Sequence, residues 1–449
     1  MTNHQNRKRF AGIAGTLLRF SLPLMLSGIL QQLYNWADAF IVGNVEGETA
    51  LAAVGATTTV VNFYVTAITG FTLGLAILVA QKYGSGETTA ISRIVSTFSL
   101  FLGGVFVLFA GLGMGFTYPL LRLLHTTADT IHLAQDYLQI IFLGIPFLAV
   151  YNVYAAALRG IGDSKTPFYS VLLSSIVNVV LDIIFVALFR WHVAGAAIAT
   201  VIAQAAMTIY LVIYSVRHYP VLRFAWGKSA FDKSMFRHGC RFGFPPMLQS
   251  SVSSAGSLIL QNFMNGFGTS TVAAVTTAYR VDSIVMVPII NLGSGISTLV
   301  AQDYGAGRRK QAGDNLLVGT AVMALVSLLL TVLVIPTGGR LIGLFGAGPE
   351  AIAIGSAFFR RIACFYLVFG LATAVRSYLE GTGDVVYSSL AGMASLVCRI
   401  AASYALVSLF DNMVIAWAEG FSWVVLLGLY VGRLIVKGRN TKDSPVSEL

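Results

Sequence analysis

Twelve apolar segments of about 20 residues or more recur along this 449-residue chain, and about that length is needed for a helix to span a bilayer. They lie near 17–43, 51–80, 92–117, 133–156, 167–189, 194–216, 242–265, 272–302, 313–335, 351–375, 386–409 and 413–436. Charged residues make up only 11% of the chain, whereas a soluble domain carries about 25%. The sequence therefore predicts an all-α, multi-pass integral membrane protein with twelve transmembrane helices.

The 29 Lys and Arg residues are distributed unevenly between the two sides that these segments define. With the N-terminus in the cytoplasm, the inside ends and loops hold 22 of them and the outside loops hold three. This is the positive-inside pattern, so we predict a protein of the cell (inner) membrane with both termini cytoplasmic. Since topology explains the net charge of +10, no nucleic-acid partner is expected.

The chain contains an internal repeat. LVAQKYGSG at 78–86 reappears as LVAQDYGAG at 299–307, and LRGIGD at 158–163 reappears as LEGTGD at 379–384, both at an offset of 221 residues. The shared register predicts two six-helix lobes, at 1–216 and 242–449, joined by a cytoplasmic loop at 217–241. Because six is even, the lobes are parallel pseudo-symmetric repeats, an arrangement typical of alternating-access transporters. The motif glycines are expected to end helices in the left-handed conformation.

Ionisable residues at membrane depth are costly, so each one is a functional candidate. Helical depth places Asp38, Asp182 and Thr200 in the outer half of the first lobe, with Asn178 one turn from Asp182. Two carboxyl groups there would disfavour double ionisation, and the carboxylate, amide and hydroxyl oxygens also suit Na⁺. We predict a site for H⁺ or Na⁺ at these four residues. The alternative is that the two aspartates only face water near the rim.

Polar and aromatic side chains of the first lobe are candidates for lining a cavity that accepts flat, cationic molecules through cation–π contacts. These candidates are Gln31, Tyr34, Asn35, Tyr64 and Tyr151. In the second lobe, Asp282 and Glu419 are further candidates for contact with a substrate or a proton. The alternative for that pair is an internal ion-pair network with Arg280 and Arg399.

Over nearly its whole length the chain resembles the MATE (multidrug and toxic compound extrusion) family. The resemblance rests on the paired six-helix lobes, the doubled motifs, LAAV at 51–54 and the first-segment residues Pro23, Gln31, Gln32, Asn35, Asp38, Val42 and Gly43. It implies a V-shaped, twelve-helix secondary antiporter that exports organic cations and diverse drugs in exchange for H⁺ or Na⁺. No cofactor besides the coupling ion is expected.

Within the family, the chain is more similar to the DinF-like branch. That branch has a first-lobe site of aspartate in helix 1, asparagine and aspartate in helix 5 and threonine in helix 6, which Asp38, Asn178, Asp182 and Thr200 match. The resemblance also implies that helix 1 bends at Pro23. The NorM-like branch has a helix 7 glutamate, and the seventh segment here has no acidic residue.

Two other classes of function remain for comparison. A flippase for lipid-linked precursors or polysaccharides shares the fold, but its pyrophosphate cargo would favour a strongly cationic cavity. An enzyme is not expected, because the six histidines fall in predicted loops, tails or helix ends and the sequence has no H-E-x-x-H or G-x-S-x-G pattern. We expect a monomer whose partners are small organic cations or drugs and membrane lipid.

Overall fold

The computed structural model describes residues 3–124, 126–343 and 348–443, which are mostly helical. The α-helices are α1 (Asn3–Glu46), α2 (Glu48–Gly84), α3 (Thr88–Leu123), α4 (Ile131–Ile161), α5 (Lys165–Asp182), α6 (His192–His218), α7 (Lys233–Asn265), α8 (Thr269–Val285), α9 (Val287–Gly305), α10 (Arg309–Gly343), α11 (Pro349–Ile362), α12 (Tyr366–Gly381), α13 (Val385–Ala405), α14 (Val407–Phe410) and α15 (Val414–Asp443).

Eleven helical segments of the described chain are long and apolar enough to cross a membrane. Three of these segments combine successive helices: α8 with α9, α11 with α12, and α14 with α15. The remaining predicted segment, 242–265, corresponds to α7, which has 33 residues. This helix is less apolar because Gln249 and five serines at 250–257 lie in its middle. The predicted all-α membrane fold is confirmed.

The chain forms two compact units. The N-unit comprises Leu22–Met247, and the C-unit comprises the chain up to Ser21 together with the chain from Leu248 onward. In the N-unit, α4 is the central helix and packs against α2, α3 and α6; in the C-unit, α12 packs against α9, α10 and α15. Because α4 and α12 are the fourth segments of their repeats, the two units share one helix arrangement.

The boundaries of the units differ from the predicted lobes at the first helix of each repeat. The start of α1 belongs to the C-unit, where an added Cβ atom at Gly295 would collide with the Ser21 side chain. The start of α7 belongs to the N-unit, where a Cβ atom at Gly74 would collide with the Phe242 carbonyl oxygen. These glycines permit backbone approaches that a larger side chain would prevent.

The doubled motifs have the same structural roles in both units. An added Cβ atom at Gly160 of α4 would lie 2.9 Å from the Ala76 carbonyl oxygen on α2. At Gly381 of α12 it would lie 2.9 Å from the Ser297 carbonyl oxygen on α9, and both contacts are related by the offset of 221. Positive φ angles of 74–98° confirm the predicted left-handed helix ends at Gly86, Gly162, Gly307 and Gly383.

The loop predicted at 217–241 is shorter in the structure. Helix α6 continues to His218 and α7 already begins at Lys233, with short 3₁₀ turns at Pro220–Leu222 and Gly227–Ser229 between them. The early start of α7 has a capping residue: Asp232 Oδ1 accepts the N–H groups of Ser234 at 2.9 Å and Met235 at 3.1 Å.

A candidate cation site beside a polar cavity

Helices α1, α5 and α6 bring together the four oxygen-bearing side chains that the sequence predicted. Asn178 and Asp182 lie one turn apart at the end of α5, and Asn178 Nδ2 donates a long hydrogen bond of 3.4 Å to Thr200 Oγ1 on α6. The carboxyl group of Asp38 on α1 is a close neighbour of the Asp182 carboxyl group and interacts with it electrostatically. The four side chains therefore form one cluster.

The backbone changes its winding directly after Asp182. Helix α5 ends there and Ile183–Leu188 continues as a π-helix. This geometry is rare in proteins, and where it occurs it is often found at functional sites. The chain then folds back into α6, with the Trp191 N–H bonded to the Phe185 carbonyl at 2.9 Å and the two rings stacked at 4.9 Å. This reversal fixes α6 beside α5 and so places Thr200 opposite Asn178.

The cluster is buried and short of hydrogen-bond donors. Asp182 is 0% and Asn178 1% exposed. Asp38 Oδ1, both carboxyl oxygens of Asp182 and Asn178 Oδ1 receive no hydrogen bond from any described residue. Leaving a buried acceptor unpaired costs about 1–3 kcal/mol, and more when the group is charged. Adjacent carboxyl groups also repel when both are ionised, so a bound proton or cation would stabilise this arrangement.

Asp38 and Thr200 also line a cavity of ≈ 250 Å³ in the N-unit. The cavity is lined by Gln31, Tyr34, Asp38, Val61, Asn62, Val65, Thr69, Tyr137, Ile141, Leu148, Tyr151, Asn152, Val171, Ser174, Ser175, Thr200, Gln204 and Met207. Asp38 is the one charged side chain among these described lining residues, and none of them is basic. The cavity therefore offers one carboxyl group, several amides and three tyrosine rings.

Three of the predicted cavity residues, Gln31, Tyr34 and Tyr151, line this cavity, while the side chain of Asn35 lies outside the described part of the structure. Tyr64 is not among the lining residues. Its ring packs edge-on against Phe142, with the centroids 5.6 Å apart, within the aromatic core between α2 and α4. Its position is that of a packing residue.

Asp282 and Glu419 belong to the C-unit, where both are buried and hydrogen-bonded. Asp282 Oδ1 accepts a hydrogen bond from the Tyr366 hydroxyl at 2.6 Å. Glu419 Oε2 lies 3.0 Å from an Arg399 guanidinium nitrogen and 3.1 Å from the Tyr279 hydroxyl. The Arg399–Glu419 ion pair agrees with the predicted internal network, whereas Asp282 is bonded to a tyrosine and not to an arginine. The substrate or proton role of Asp282 and Glu419 stays a prediction. Arg280, which the sequence grouped with them, is exposed and forms no ion pair with a described residue.

Sequence reasoning missed other polar residues of the cavity. Tyr137 and Asn152 on α4 line it, as does Gln204 on α6. Gln204 Oε1 has no described donor and lies against Gly144, where an added Cβ atom would be 2.3 Å away. One signal was available for Gln204, since it follows Thr200 by four residues and therefore shares its helical face.

Comparison with known proteins places this chain in a family of membrane transporters. The family model MatE matches residues 23–184 and 245–405, and the chain belongs to the MATE family. This confirms the resemblance seen in the sequence and shows that the chain is a transporter and not an enzyme.

Two curated relatives and one solved structure show the extent of the similarity. "Probable multidrug resistance protein YpnP" of Bacillus subtilis (strain 168) is 29% identical over 375 residues, which cover 82% of this chain and 83% of the relative. "Multidrug export protein MepA" of Staphylococcus haemolyticus (strain JCSC1435) is 22% identical over 422 residues, covering 91% and 90%. The outward-facing structure of a multidrug resistance MATE family transporter of the MOP superfamily has a TM-score of 0.87 and 20% identity, covering 96% of this chain and 97% of that one.

Proposed function

We propose that this protein is a secondary active antiporter of the DinF-like type. It exports organic cations and multiple drugs by alternating access, in exchange for H⁺ or Na⁺ that enters from outside. The coupling ion binds at Asp38, Asn178, Asp182 and Thr200, and the cargo binds in the adjoining cavity. The names of the relatives, which concern multidrug resistance and multidrug export, support the choice of cargo.

The observation that carries this proposal is the set of buried oxygens without donors at the edge of the cavity. Asp38 belongs both to this set of oxygens and to the cavity lining, because its Oδ1 is an unpaired buried acceptor and its side chain lines the cavity. A cationic cargo and a small cation therefore compete for one carboxyl group. Such competition couples the two, since each ligand shifts the transporter only through its differential affinity for the available states.

The ligand set accommodates either coupling ion. A proton shared by Asp38 and Asp182 converts one acceptor into a donor and removes the repulsion between the two carboxylates. Na⁺ is a hard cation, and the carboxylate, amide and hydroxyl oxygens of the four side chains are ligands of the kind that such cations take. Transport driven by each gradient separately decides between the two ions.

Pro23 gives α1 a place to bend. Proline lacks an N–H group, so the Arg19 carbonyl has no helical donor at this turn. Pro23 lies two residues after Ser21, where α1 passes from the C-unit to the N-unit. A bend at this point would change the course of the segment that carries Asp38, and so would change access to the cation site.

The flippase alternative is less well supported. A lipid-linked pyrophosphate needs basic groups, and the described lining of the N-unit cavity has no Lys, Arg or His. One carboxyl group among amides and tyrosines suits a cationic cargo instead. Lipid flipping therefore becomes the function to assay only if cation-driven export fails.

The test is ethidium transport into proteoliposomes of the purified protein, driven by an imposed pH gradient or by an imposed Na⁺ gradient. We expect one of the gradients to drive uptake in the wild type. Uptake should fall at least tenfold in Asp38→Asn, because this change removes the negative charge for which cargo and ion compete.

Asp136→Asn is the matched control, because Asp136 is an exposed aspartate of the same unit; it should transport like the wild type. Full transport by folded Asp38→Asn/Asp182→Asn would refute the site. A wild type that responds to neither gradient would refute the antiport mechanism itself.

A further inference from the structure

The ends of α1 and α6 are joined by a contact two helical turns from the cation site. His192 Nδ1 lies 2.5 Å from Glu46 Oε2. Glu46 follows Asp38 by eight residues on α1, and His192 precedes Thr200 by eight residues on α6. At 1.5 Å per residue, each partner is about 12 Å along its helix from a residue of the site. The contact thus connects two of the three helices that form the site.

The turn before α6 holds His192 in an unusual backbone conformation. Arg190 and His192 have φ angles of 54° and 51°, in the left-handed region that costs non-glycine residues of order 1–3 kcal/mol. Between them, Trp191 stacks on Phe185 and its N–H binds the Phe185 carbonyl at 2.9 Å. Such a conformation persists only where the surroundings fix it, and here it brings the imidazole to α1.

Glu46 supplies a carboxylate that is less exposed than the imidazole it contacts. The Glu46 side chain is 11% exposed, whereas the His192 side chain is 66% exposed. The neighbouring charged residues are Glu48 at the start of α2 and Arg190 in the turn, and neither forms an ion pair with His192. Histidine commonly changes its charge between pH 5 and 8. Protonation therefore converts a hydrogen bond into an ion pair with a largely buried carboxylate.

We propose that His192 and Glu46 form a clasp that positions α1 beside α6 and tightens when the solution on that side is acidic. The charge distribution predicts that this end faces outside, from which the coupling ion enters. A closed clasp keeps Asp38 next to Asp182 and Thr200, ready to receive the ion; an open clasp frees the end of α1. The role of the clasp in coupling rests on the proposed function, and its pH response does not.

The test is a spin-label distance measurement between positions 45 and 188, where Val45 and Leu188 are exposed, on the full chain in nanodiscs. Cys240, Cys364 and Cys398 are replaced first so that only the two labels react. In the wild type, the fraction of molecules with the short distance between the labels should decrease about 1.5- to 5-fold between pH 5 and pH 8, the range expected for an ion pair whose imidazole is exposed to solvent.

Two variants of His192 distinguish a pH-dependent clasp from a contact that is the same at every pH. The decrease of the short-distance population between pH 5 and pH 8 is called the pH step. His192→Lys keeps the positive charge at every pH in this range and should hold the short distance throughout. His192→Gln and Glu46→Gln should remove the pH step. An unchanged pH step in His192→Gln, or the wild-type step in His192→Lys, would overturn the proposal.

Repeating the distance measurement in the Asp38→Asn protein tests whether titration of the cation site causes the change in distance. The clasp predicts that the pH step persists in that background, and loss of the step there would overturn it. Ethidium transport by the same Asp38→Asn protein tests the proposed function separately, so failure of one proposal is distinguishable from failure of the other.

Discussion

The carboxyl groups of Asp38 and Asp182 define the candidate cation site, because ionisable groups are rare and costly inside a membrane. Helical depth, together with the helical face that Asn178 shares with Asp182, predicted that both carboxyl groups would meet Asn178 and Thr200. The structure places all four side chains in one cluster. The cavity lining was less predictable, since tyrosines and amides also occur in packed helices. Tyr64 and Tyr137 are both aromatic residues of apolar segments, and only tertiary packing directs Tyr137 to the cavity and Tyr64 to the core.

At the residue scale, the partnered charges of the C-unit predict a stability effect. Arg399→Gln removes the partner of Glu419, whose side chain is 9% exposed, and an unpaired buried charge is destabilising by about 3–5 kcal/mol. We expect a marked fall in the thermal unfolding temperature in detergent. The double variant Arg399→Gln/Glu419→Gln should recover most of this loss, because residue 419 then carries no charge that lacks its partner and Asp282 keeps its hydrogen bond from Tyr366.

Arg280→Gln is the control for this series, since Arg280 is exposed and surface changes usually stay within about 0.5 kcal/mol. If Arg399→Gln is as stable as the wild type, the network contributes nothing to folding. A substrate or proton role for Asp282 and Glu419 would then have to be considered again.

At the scale of helices, hydropathy predicted where the chain is apolar and missed where the helices extend into water. Helix α1 begins by Asn3 and α7 begins at Lys233, whereas their apolar segments begin near 17 and 242. Backbone hydrogen bonding does not stop at the edge of the apolar stretch, because local caps stabilise the polar turns as well. The Asp232 cap is a sequence-level signal that a purely apolar criterion does not register.

The α7 cap predicts a pH-dependent contribution to stability. The Met235 N–H, together with the Ser234 N–H and the Arg93 guanidinium, lowers the pKa of Asp232 below its usual value. A carboxyl group with a lowered folded-state pKa stabilises the fold above its unfolded pKa, and this stability is lost as the pH falls through the folded value. Asp232→Ala should therefore cost about 0.5–2 kcal/mol at pH 7.

The difference in unfolding temperature between Asp232→Ala and the wild type should shrink below about pH 4, where the carboxylate becomes protonated. Asp232→Asn, which can still accept the helix N–H groups, should lose less stability at pH 7. A difference that stays constant from pH 7 to pH 3 would contradict a role for the carboxylate charge.

At the scale of the whole molecule, the repeat was visible in sequence because two separated pairs of motifs share one offset of 221 residues. The structure shows the physical basis of part of this register, since Gly160 and Gly381 make equivalent close approaches to α2 and α9. The boundaries of the two units, at Ser21 and Met247, could not be read from the repeat in the sequence. They depend on which helix the starts of α1 and α7 contact, and such contacts leave no periodic signal in the sequence.

The central claim is that cargo and coupling ion compete for the Asp38–Asp182 site. Equilibrium binding of ethidium to the purified protein, measured from pH 5 to pH 8 and at increasing Na⁺, tests it most directly. We expect ethidium affinity to fall about tenfold, or 1.4 kcal/mol, as H⁺ or Na⁺ increases in the wild type. In Asp38→Asn/Asp182→Asn this dependence should disappear. Ethidium binding that responds to the cation equally in wild type and double variant would contradict the account.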